Sequence, residues 1–394
     1  MNSDPIVIVS ATRTPLGGMS GSLATLTVPE LGAIAIKGAV EQCHIDPSLI
    51  NEVFMGCVLP AGTGQAPARQ AALGAGLPHS AGSTTINKVC GSGMKSIMLA
   101  HDLILAGSGE VMVAGGMESM TNAPYLLAKA RGGFRLGHGE IKDSMFLDGL
   151  EDAYDKGKLM GVFAQETADS RGYTREQQDE FTIRSLTRAQ NATKEGWVKA
   201  EITPVTYSSR AGEVTVSEDE LPQNAKLDKI PSLRPAFSKT GTITAANASS
   251  ISDGAAALIL MKASKAKELG LHPLAKIVAH ATHARKPAEF TQAPVGAIKA
   301  LFEKTGWSQQ HVDLFEINEA FAMVTMIAID ELALDTNKVN IYGGAVAVGH
   351  PLGASGARIV VTLLNALKQT QGKKGVASLC IGGGEATAIA LELC

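Results

Sequence analysis

The stretch Cys90-Gly91-Ser92-Gly93-Met94-Lys95-Ser96-Ile97, running on through Leu105 and Gly107 to Val111-Met112-Val113-Ala114-Gly115-Gly116, decides the fold. A reactive side chain beside glycines opens a helix, Gly107 stops it, and an unbroken apolar run follows as a strand buried on both faces. Ile97, Ile104 and Leu105 read as the core stripe of that helix. Working outward, Ile6-Val7-Ile8-Val9 is an earlier strand of the same kind. Residues 28–42 read as a helix, residues 52–57 as a strand, and Gly254-Ala255-Ala256-Ala257-Leu258-Ile259-Leu260 as a later strand. Strands alternating with helices predict an α/β fold on a mainly parallel sheet.

The pattern breaks over residues 121–248, which are richer in charge, Pro and Gly and hold one long helix near 175–196. Beyond it the first part is echoed in order. Lys276-Ile277-Val278-Ala279-His280-Ala281-Thr282 echoes Val7 to Thr12, 312–318 echoes 50–56, Gly356-Ala357-Arg358 opens a helix as Gly93-Met94-Lys95 does, and 376–379 with Gly382-Gly383-Gly384 echoes 111–116. Two copies of one βα unit with an insertion between them account for this order.

Composition narrows the function. Of 394 residues, 45% are hydrophobic and 19% charged, 42 are Gly, and net charge is −3, so no basic face is available for nucleic acid. No apolar run reaches the length of a membrane helix, which predicts no membrane partner. The N-terminal stretch from Met1 to Pro15 lacks the pattern of a signal or transit peptide, and the final Leu393-Cys394 matches no targeting signal, so a cytoplasmic location is expected. The cysteines (Cys43, Cys57, Cys90, Cys380 and Cys394) are odd in number and widely spaced. That argues against disulfides, and the absence of CxxC or HxxxH spacing argues against a metal.

Four positions carry chemistry. Cys90 stands at a helix start, where free N–H groups and the helix dipole favour a thiolate; the plainer reading is a small buried cysteine. His350 sits in Gly349-His350-Pro351-Leu352-Gly353-Ala354-Ser355-Gly356, also before a helix. Each copy thus presents a reactive residue at a helix start, and a cysteine with a base is the minimal nucleophile pair. Cys380 precedes Ile381-Gly382-Gly383-Gly384, a turn whose N–H groups can bind a developing oxyanion. Asn318, in Asn318-Glu319-Ala320-Phe321, reads from pattern alone as a helix N-cap. No P-loop, GxGxxG after the first strand, or GxSxG elbow is present.

Together these motifs resemble the thiolase family. The stretches that carry the resemblance are Asn87-Lys88-Val89-Cys90-Gly91-Ser92-Gly93, Gly115-Gly116-Met117-Glu118-Ser119-Met120, Asn318-Glu319-Ala320-Phe321-Ala322, Gly343-Gly344-Ala345 through Gly349-His350-Pro351, and Cys380-Ile381-Gly382-Gly383-Gly384, in family order. The resemblance implies duplicated βαβαβ units in an α/β/α/β/α core. Its halves would be residues 1–120 plus 249–270 and residues 271–394, with 121–248 an inserted loop domain for coenzyme A binding and tetramerisation. The nearest group implied is the acetyl-CoA C-acetyltransferases, which condense two acetyl-CoA to acetoacetyl-CoA and CoA or run the reverse thiolysis. The alternative is a longer-chain 3-ketoacyl-CoA thiolase of fatty acid β-oxidation.

The resemblance also implies roles. Cys90 would carry the acyl group and His350 would take its proton. Cys380 would exchange a proton with the substrate α-carbon. Asn318 would hold a water that forms one oxyanion hole with His350, and the N–H groups of Cys90 and Gly382 would form another. Ser249, Leu159, Met160, Ala236, Phe237, Ala320, Phe321 and Phe290 would line the coenzyme A and acyl channel, with acyl-CoA as substrate and no separate cofactor. Family members often carry His at Leu159, Met at Phe290, Gly and Asn at Ser250 and Ser252, and an adenosine-contacting Arg near Pro222-Gln223; these departures extend the expected range to longer or branched acyl chains. A decarboxylating condensing enzyme would carry His at Cys380, and a non-catalytic coenzyme A binder would lack one of the reactive residues. Residues 129–137 resemble the family's tetramerisation segment, implying a homotetramer built from two dimers; a solvated basic loop is the plainer reading.

Overall fold

Five strands of the first half, β1 (Ile6–Arg13), β2 (Glu52–Gly56), β3 (Gly82–Ile86), β4 (Val111–Ser119) and β5 (Ser252–Lys262), lie in the order β3-β2-β4-β5-β1 in the computed structural model, which describes residues 4–210 and 212–394. Met1 to Ser3, where the N-terminal reading began, lie outside the described residues. The second half repeats the order. β6 (Ala275–Ala284), β7 (Leu314–Ile317), β8 (Lys374–Ile381) and β9 (Glu385–Leu393) run β7-β8-β9-β6, and Val339, bridged in parallel to Phe315, stands where β3 stands in the first half. The half-sheets join where Val7 lies opposite Lys276 and Ile8 opposite Ala275, and the Leu274 N–H donates to the Ile8 carbonyl at 2.8 Å.

The sheet is mixed, not mainly parallel. β3/β2, β2/β4 and β7/β8 are parallel, whereas β4/β5, β5/β1, β8/β9 and β9/β6 are antiparallel. The reason is the return path. The Gly382–Gly384 turn sends β9 straight back along β8, and a tight turn can only make an antiparallel pair. In the first half the chain leaves β4, traverses the insertion, and returns as β5 in that same direction.

Helices complete the layers. α1 (Val28–Cys43) and α2 (Pro67–Gly74) cover the outside of the first half-sheet, and α6 (Ala293–Thr305) covers that of the second. Between the half-sheets lie α3 (Ser92–Leu105) and α8 (Leu352–Thr370), which touch both. This is the α/β/α/β/α arrangement. α8 is buried without a break from Leu352 to Leu364, and the polar side chains on that stretch, Ser355, Arg358 and Thr362, are buried with it. It begins at Leu352; Gly356, expected to open it, lies a turn inside. α3 and α8 cross at Gly93, where a Cβ would stand 2.8 Å from Ala357 N and 2.9 Å from the Gly353 carbonyl. Ile97 and Ile104 are core, but Leu105 is exposed, because one residue beyond Ile104 turns off the buried face.

The first strand outruns its apolar start and ends at Arg13. That guanidinium is buried against Asp219 (2.7 and 2.8 Å) and Glu201 (2.7 Å), which makes a charged residue tolerable inside. The insertion carries α5 (Arg175–Lys194) as expected, and also α4 (Met160–Arg171), which sequence reading missed. α4 buries Gly161, Phe163, Gln165 and Thr167 on more than one side, so no single apolar stripe marks it. Among the described residues no helix is long and apolar enough to cross a membrane.

Candidate active site

Cys90 follows β3 through a tight elbow. Val89 is held at φ 46°, a costly conformation for a β-branched residue. The elbow is fixed locally: Val89 N–H donates to Asn87 Oδ1 (2.9 Å), Lys88 N–H to Ser92 Oγ (2.8 Å), and Ser92 Oγ to the Val89 carbonyl (2.6 Å). α3 starts two residues after the thiol. His350 occupies the matching place in the second half, after Val339 and before α8. Two equivalent loops therefore bring Cys90 and His350, the expected nucleophile and base, to one end of the molecule, beyond the carboxyl ends of the parallel strands.

The imidazole is 5% exposed. Its Nδ1 lies 2.6 Å from Ser355 Oγ, and that hydroxyl donates onward to the Pro351 carbonyl at 2.9 Å. A hydroxyl has one proton; with that proton on the Pro351 carbonyl, Ser355 accepts from His350 Nδ1, and Nε2, which has no protein partner, carries the lone pair. Burial, aided by the positive charge of Arg358, lowers the His350 pKa to about 3, so the ring is neutral.

The thiols are neutral too. Burial pushes Cys90 up to about 11, against the pull of the Gly382 N–H and its own N–H, with Glu118 adding repulsion. The helix start thus does not by itself create the expected thiolate; burial outweighs it. Cys380, fully buried on β8 opposite Ala386, is raised well above the ordinary thiol range by burial and by its neighbour Cys90. An ion pair between Lys88 and Glu385 links the Cys90 elbow to the turn after Cys380.

Cys90, His350, Cys380 and Gly382 line one apolar cavity of about 560 Å³, a size that suits a small-molecule site. All eight residues expected to form the channel also line it: Ser249, Leu159, Met160, Ala236, Phe237, Ala320, Phe321 and Phe290. The rings of Phe237 and Phe290 meet Phe321 edge-on, 6.1 and 6.4 Å between centroids. Sequence reading had not singled out Phe146, Gly149 and Leu150, a π-helical turn of the insertion, nor Leu221 and Ile251, which also form the wall.

Asn318 does not line the cavity, and it does not cap a helix: α7 (Ala322–Leu332) starts after Phe321. Asn318 is 1% exposed; its Oδ1 accepts from Arg358 Nη2 at 3.4 Å, and its Nδ2 has no protein partner. Glu319 instead braces this loop, accepting from Ser185 Oγ (2.7 Å), Asn340 Nδ2 (2.8 Å) and the Val346 N–H (3.3 Å).

Glu118, quoted in the motif without a role, is the buried hub of the first half. Its carboxylate accepts from the N–H groups of Val58 (2.9 Å), Leu59 (3.2 Å) and Gly353 (2.8 Å), and Cys57 Sγ lies 3.6 Å away. It therefore ties the start of α8, beside His350, to the loop after β2. Burial still raises its pKa to about 7. The duplication shows here as well. Cys57 and Asn318 directly follow the second strands of their halves, and Glu118 and Cys380 are the penultimate residues of the fourth.

The whole chain compares closely with known proteins. The family model "Thiolase, N-terminal domain" matches residues 6–264, and "Thiolase, C-terminal domain" matches residues 271–393. An acetyl-CoA acetyltransferase of Cupriavidus necator is 50% identical over 389 residues, covering 98% of this chain and 99% of its own length. Another from Schizosaccharomyces pombe is 49% identical over 394 residues and covers 100% of both. The crystal structure of Acat5 thiolase from Ascaris suum in complex with coenzyme A matches with a TM-score of 0.93 and 42% identity, over 99% of this chain and 100% of that one. A fold duplicated about two central helices, and matches that run from the first strand to the last, lead to one conclusion: the chain belongs to the thiolase family.

Proposed function

We propose that this chain is an acetyl-CoA C-acetyltransferase, catalysing the reversible Claisen condensation of two acetyl-CoA to acetoacetyl-CoA and CoA. The observation that carries this reading is the convergence of Cys90, His350, Cys380 and the Gly382 turn on one apolar cavity. His350 Nε2 takes the Cys90 proton as the sulfur attacks the thioester carbonyl. The carbon–sulfur bond to CoA breaks, and Cys380 gives its proton to the departing thiolate. Cys380, now a thiolate whose burial makes it a strong base, removes an α-proton from the second acetyl-CoA. The enolate attacks acyl-Cys90, and the released Cys90 thiolate recovers the proton from His350, which closes the cycle.

Each intermediate carries an oxyanion. The N–H groups of Cys90 and Gly382, both aimed at the Cys90 sulfur, suit the oxyanion of acyl-Cys90. A water held by the unpaired Asn318 Nδ2, acting with His350, suits the other. Neither a metal nor a redox cofactor has a part in this sequence of steps. Ser249, Ala236 and Leu159 would contact pantetheine, and the rings about Phe321 would bound the acyl group. The insertion, taken as residues 121–248, would supply the coenzyme A wall. It would also drive assembly of a homotetramer of acyl-CoA-consuming subunits in the cytoplasm, within lipid metabolism. Support for the assembly comes from its exposed apolar side chains, Tyr125, Leu127, Phe134, Leu136 and Ile141, in one hairpin region.

Incubation with acetyl-CoA should add an acetyl group to the peptide that contains Cys90, read by mass spectrometry. Cys90→Ser should lose condensation by about a thousandfold or more. A Cys90→Ser enzyme that condenses acetyl-CoA at the normal rate would overturn the reading. Thiolysis rates along a series of 3-ketoacyl-CoAs separate the acetoacetyl enzyme from a longer-chain one.

A further inference from the structure

At the far end of α3 from Cys90, two imidazoles and a carboxylate meet. His101 and Asp102 belong to the last turns of that helix, and His280 comes from the middle of β6, 178 residues from Asp102 in sequence. His101 Nδ1 lies 2.9 Å and His280 Nε2 2.8 Å from the same atom, Asp102 Oδ1. All three donor atoms fall within 4.8 Å of one another. The two rings stand edge to face, 5.1 Å between centroids. The imidazoles are largely covered, at 13% and 16% exposure, while Asp102 is 51% exposed and leaves one side open to solvent. None of the three lines the catalytic cavity, and the proposed reaction makes no use of them.

We propose that His101, Asp102 and His280 form a site for a divalent transition metal, with zinc the ion best suited to two imidazoles and one carboxylate, and that the ion clasps the first half of the molecule to the second. Three protein ligands with a fourth position open to water is a familiar zinc arrangement, with bonds of about 2.0–2.2 Å. Tetrahedral donors at that distance stand about 3.4 Å apart, so each nitrogen–oxygen separation must open by roughly half an ångström, and the two imidazole nitrogens, which lie within 4.8 Å of each other, must settle at the same spacing. The half-exposed Asp102 can move that far. Calcium and magnesium prefer all-oxygen shells and do not fit.

Proton balance is simple. In the ion-free form each imidazole donates from the nitrogen that faces Asp102. On metal binding those protons shift to His101 Nε2 and His280 Nδ1, and neutral rings release none. A plain ion-pair reading would need a charged ring, yet burial lowers the His280 pKa and keeps it toward the neutral, metal-binding form. Lys304 opposes this: its Nζ donates to the His280 carbonyl at 2.8 Å and repels a cation. Sequence spacing could not reveal the site, because its ligands come from separate halves.

The test uses the full chain stripped of metal by a chelator, then titrated with zinc and separately with cobalt(II). The expected result is one equivalent bound per chain, with a cobalt spectrum free of the thiolate charge-transfer band that binding at Cys90 or Cys380 would give. Melting temperature should rise by roughly 5 °C at a hundredfold excess over Kd. His101→Gln and His280→Gln should each weaken binding by about tenfold or more and leave condensation by the metal-free enzyme unchanged. Should either fail to fold, Asp102→Asn keeps the side-chain shape and removes the charge, with the same loss of affinity expected. The proposal falls if zinc shows no saturable binding, if the variants bind as wild type does, or if the cobalt spectrum reports sulfur.

Discussion

At the scale of single residues, the chemistry rests on where one proton sits. On the proposed mechanism Ser355 gives its hydroxyl proton to the Pro351 carbonyl and accepts from His350 Nδ1, which leaves Nε2 as the acceptor. Ser355→Ala frees the ring to flip or change tautomer, and we expect kcat to fall about tenfold or more with KM little changed; an unchanged kcat would remove Ser355 from the mechanism. The low pKa of His350 also sets a pH expectation. With the value near 3, protonation of His350 cannot produce an acid limb in kcat/KM near pH 6.5; a limb there that disappears in His350→Asn would contradict the burial argument. Cys90, His350 and Cys380, on which the proposed reaction rests, stand out in the sequence because each lies beside a glycine-rich turn, and the structure puts all three on one cavity. Ser355, Glu118 and Glu319 do not stand out. Their work depends on which N–H groups and rings they meet in space, and Glu118 meets Gly353 across 235 residues. Asn318 was legible as a polar residue after a strand, but its surroundings gave no sign in the sequence.

At the scale of elements, the decisive contact is the crossing of α3 and α8. A methyl group added at Gly93 would press on the backbone atoms of Ala357 and Gly353, which cannot rotate away as a side chain would. Gly93→Ala should destabilise the protein by about 1–3 kcal/mol or more and lower activity, because the two helices start beside the nucleophile and the base. Helix bounds were readable where caps are strong: α3 ends beside Gly107 at φ 80°, as the glycine implied. Strand direction was not readable, since an apolar run looks the same whichever way its neighbour runs. α4 escaped notice because it is packed on several sides and shows no stripe.

At the scale of the whole molecule, burial of carboxylates gives stability a pH signature. Glu316 is raised to about 8, first by burial and then by Glu319 and Glu201, against the pull of Arg358; Glu118 is raised to about 7. The folded state therefore holds these protons more tightly than the unfolded chain, and stability falls as pH rises from the unfolded carboxylate range through the folded values. His350 acts oppositely, but most of its change lies below pH 6.5 and little remains above it. From pH 6.5 to 8 the melting temperature should drop by a few degrees, and Glu316→Gln should flatten that drop; a rise over this window would refute the assignment. The duplication was foreseen from the order of echoes along the chain, and the layering from the family resemblance. The ionic contacts that knit the layers together, such as Arg13 with Asp219 and Glu201, lie between partners too distant in sequence to be paired by pattern. The repeat has one last implication. Its two copies share an architecture but have divided the labour, with Cys57 and Glu118 standing where the other copy holds Asn318 and Cys380. On the proposed mechanism, a split at residue 270 would leave Cys90 in one fragment with no base to deprotonate it, and His350 and Cys380 in another with nothing to acylate. Neither ancestor-like fragment would inherit the reaction.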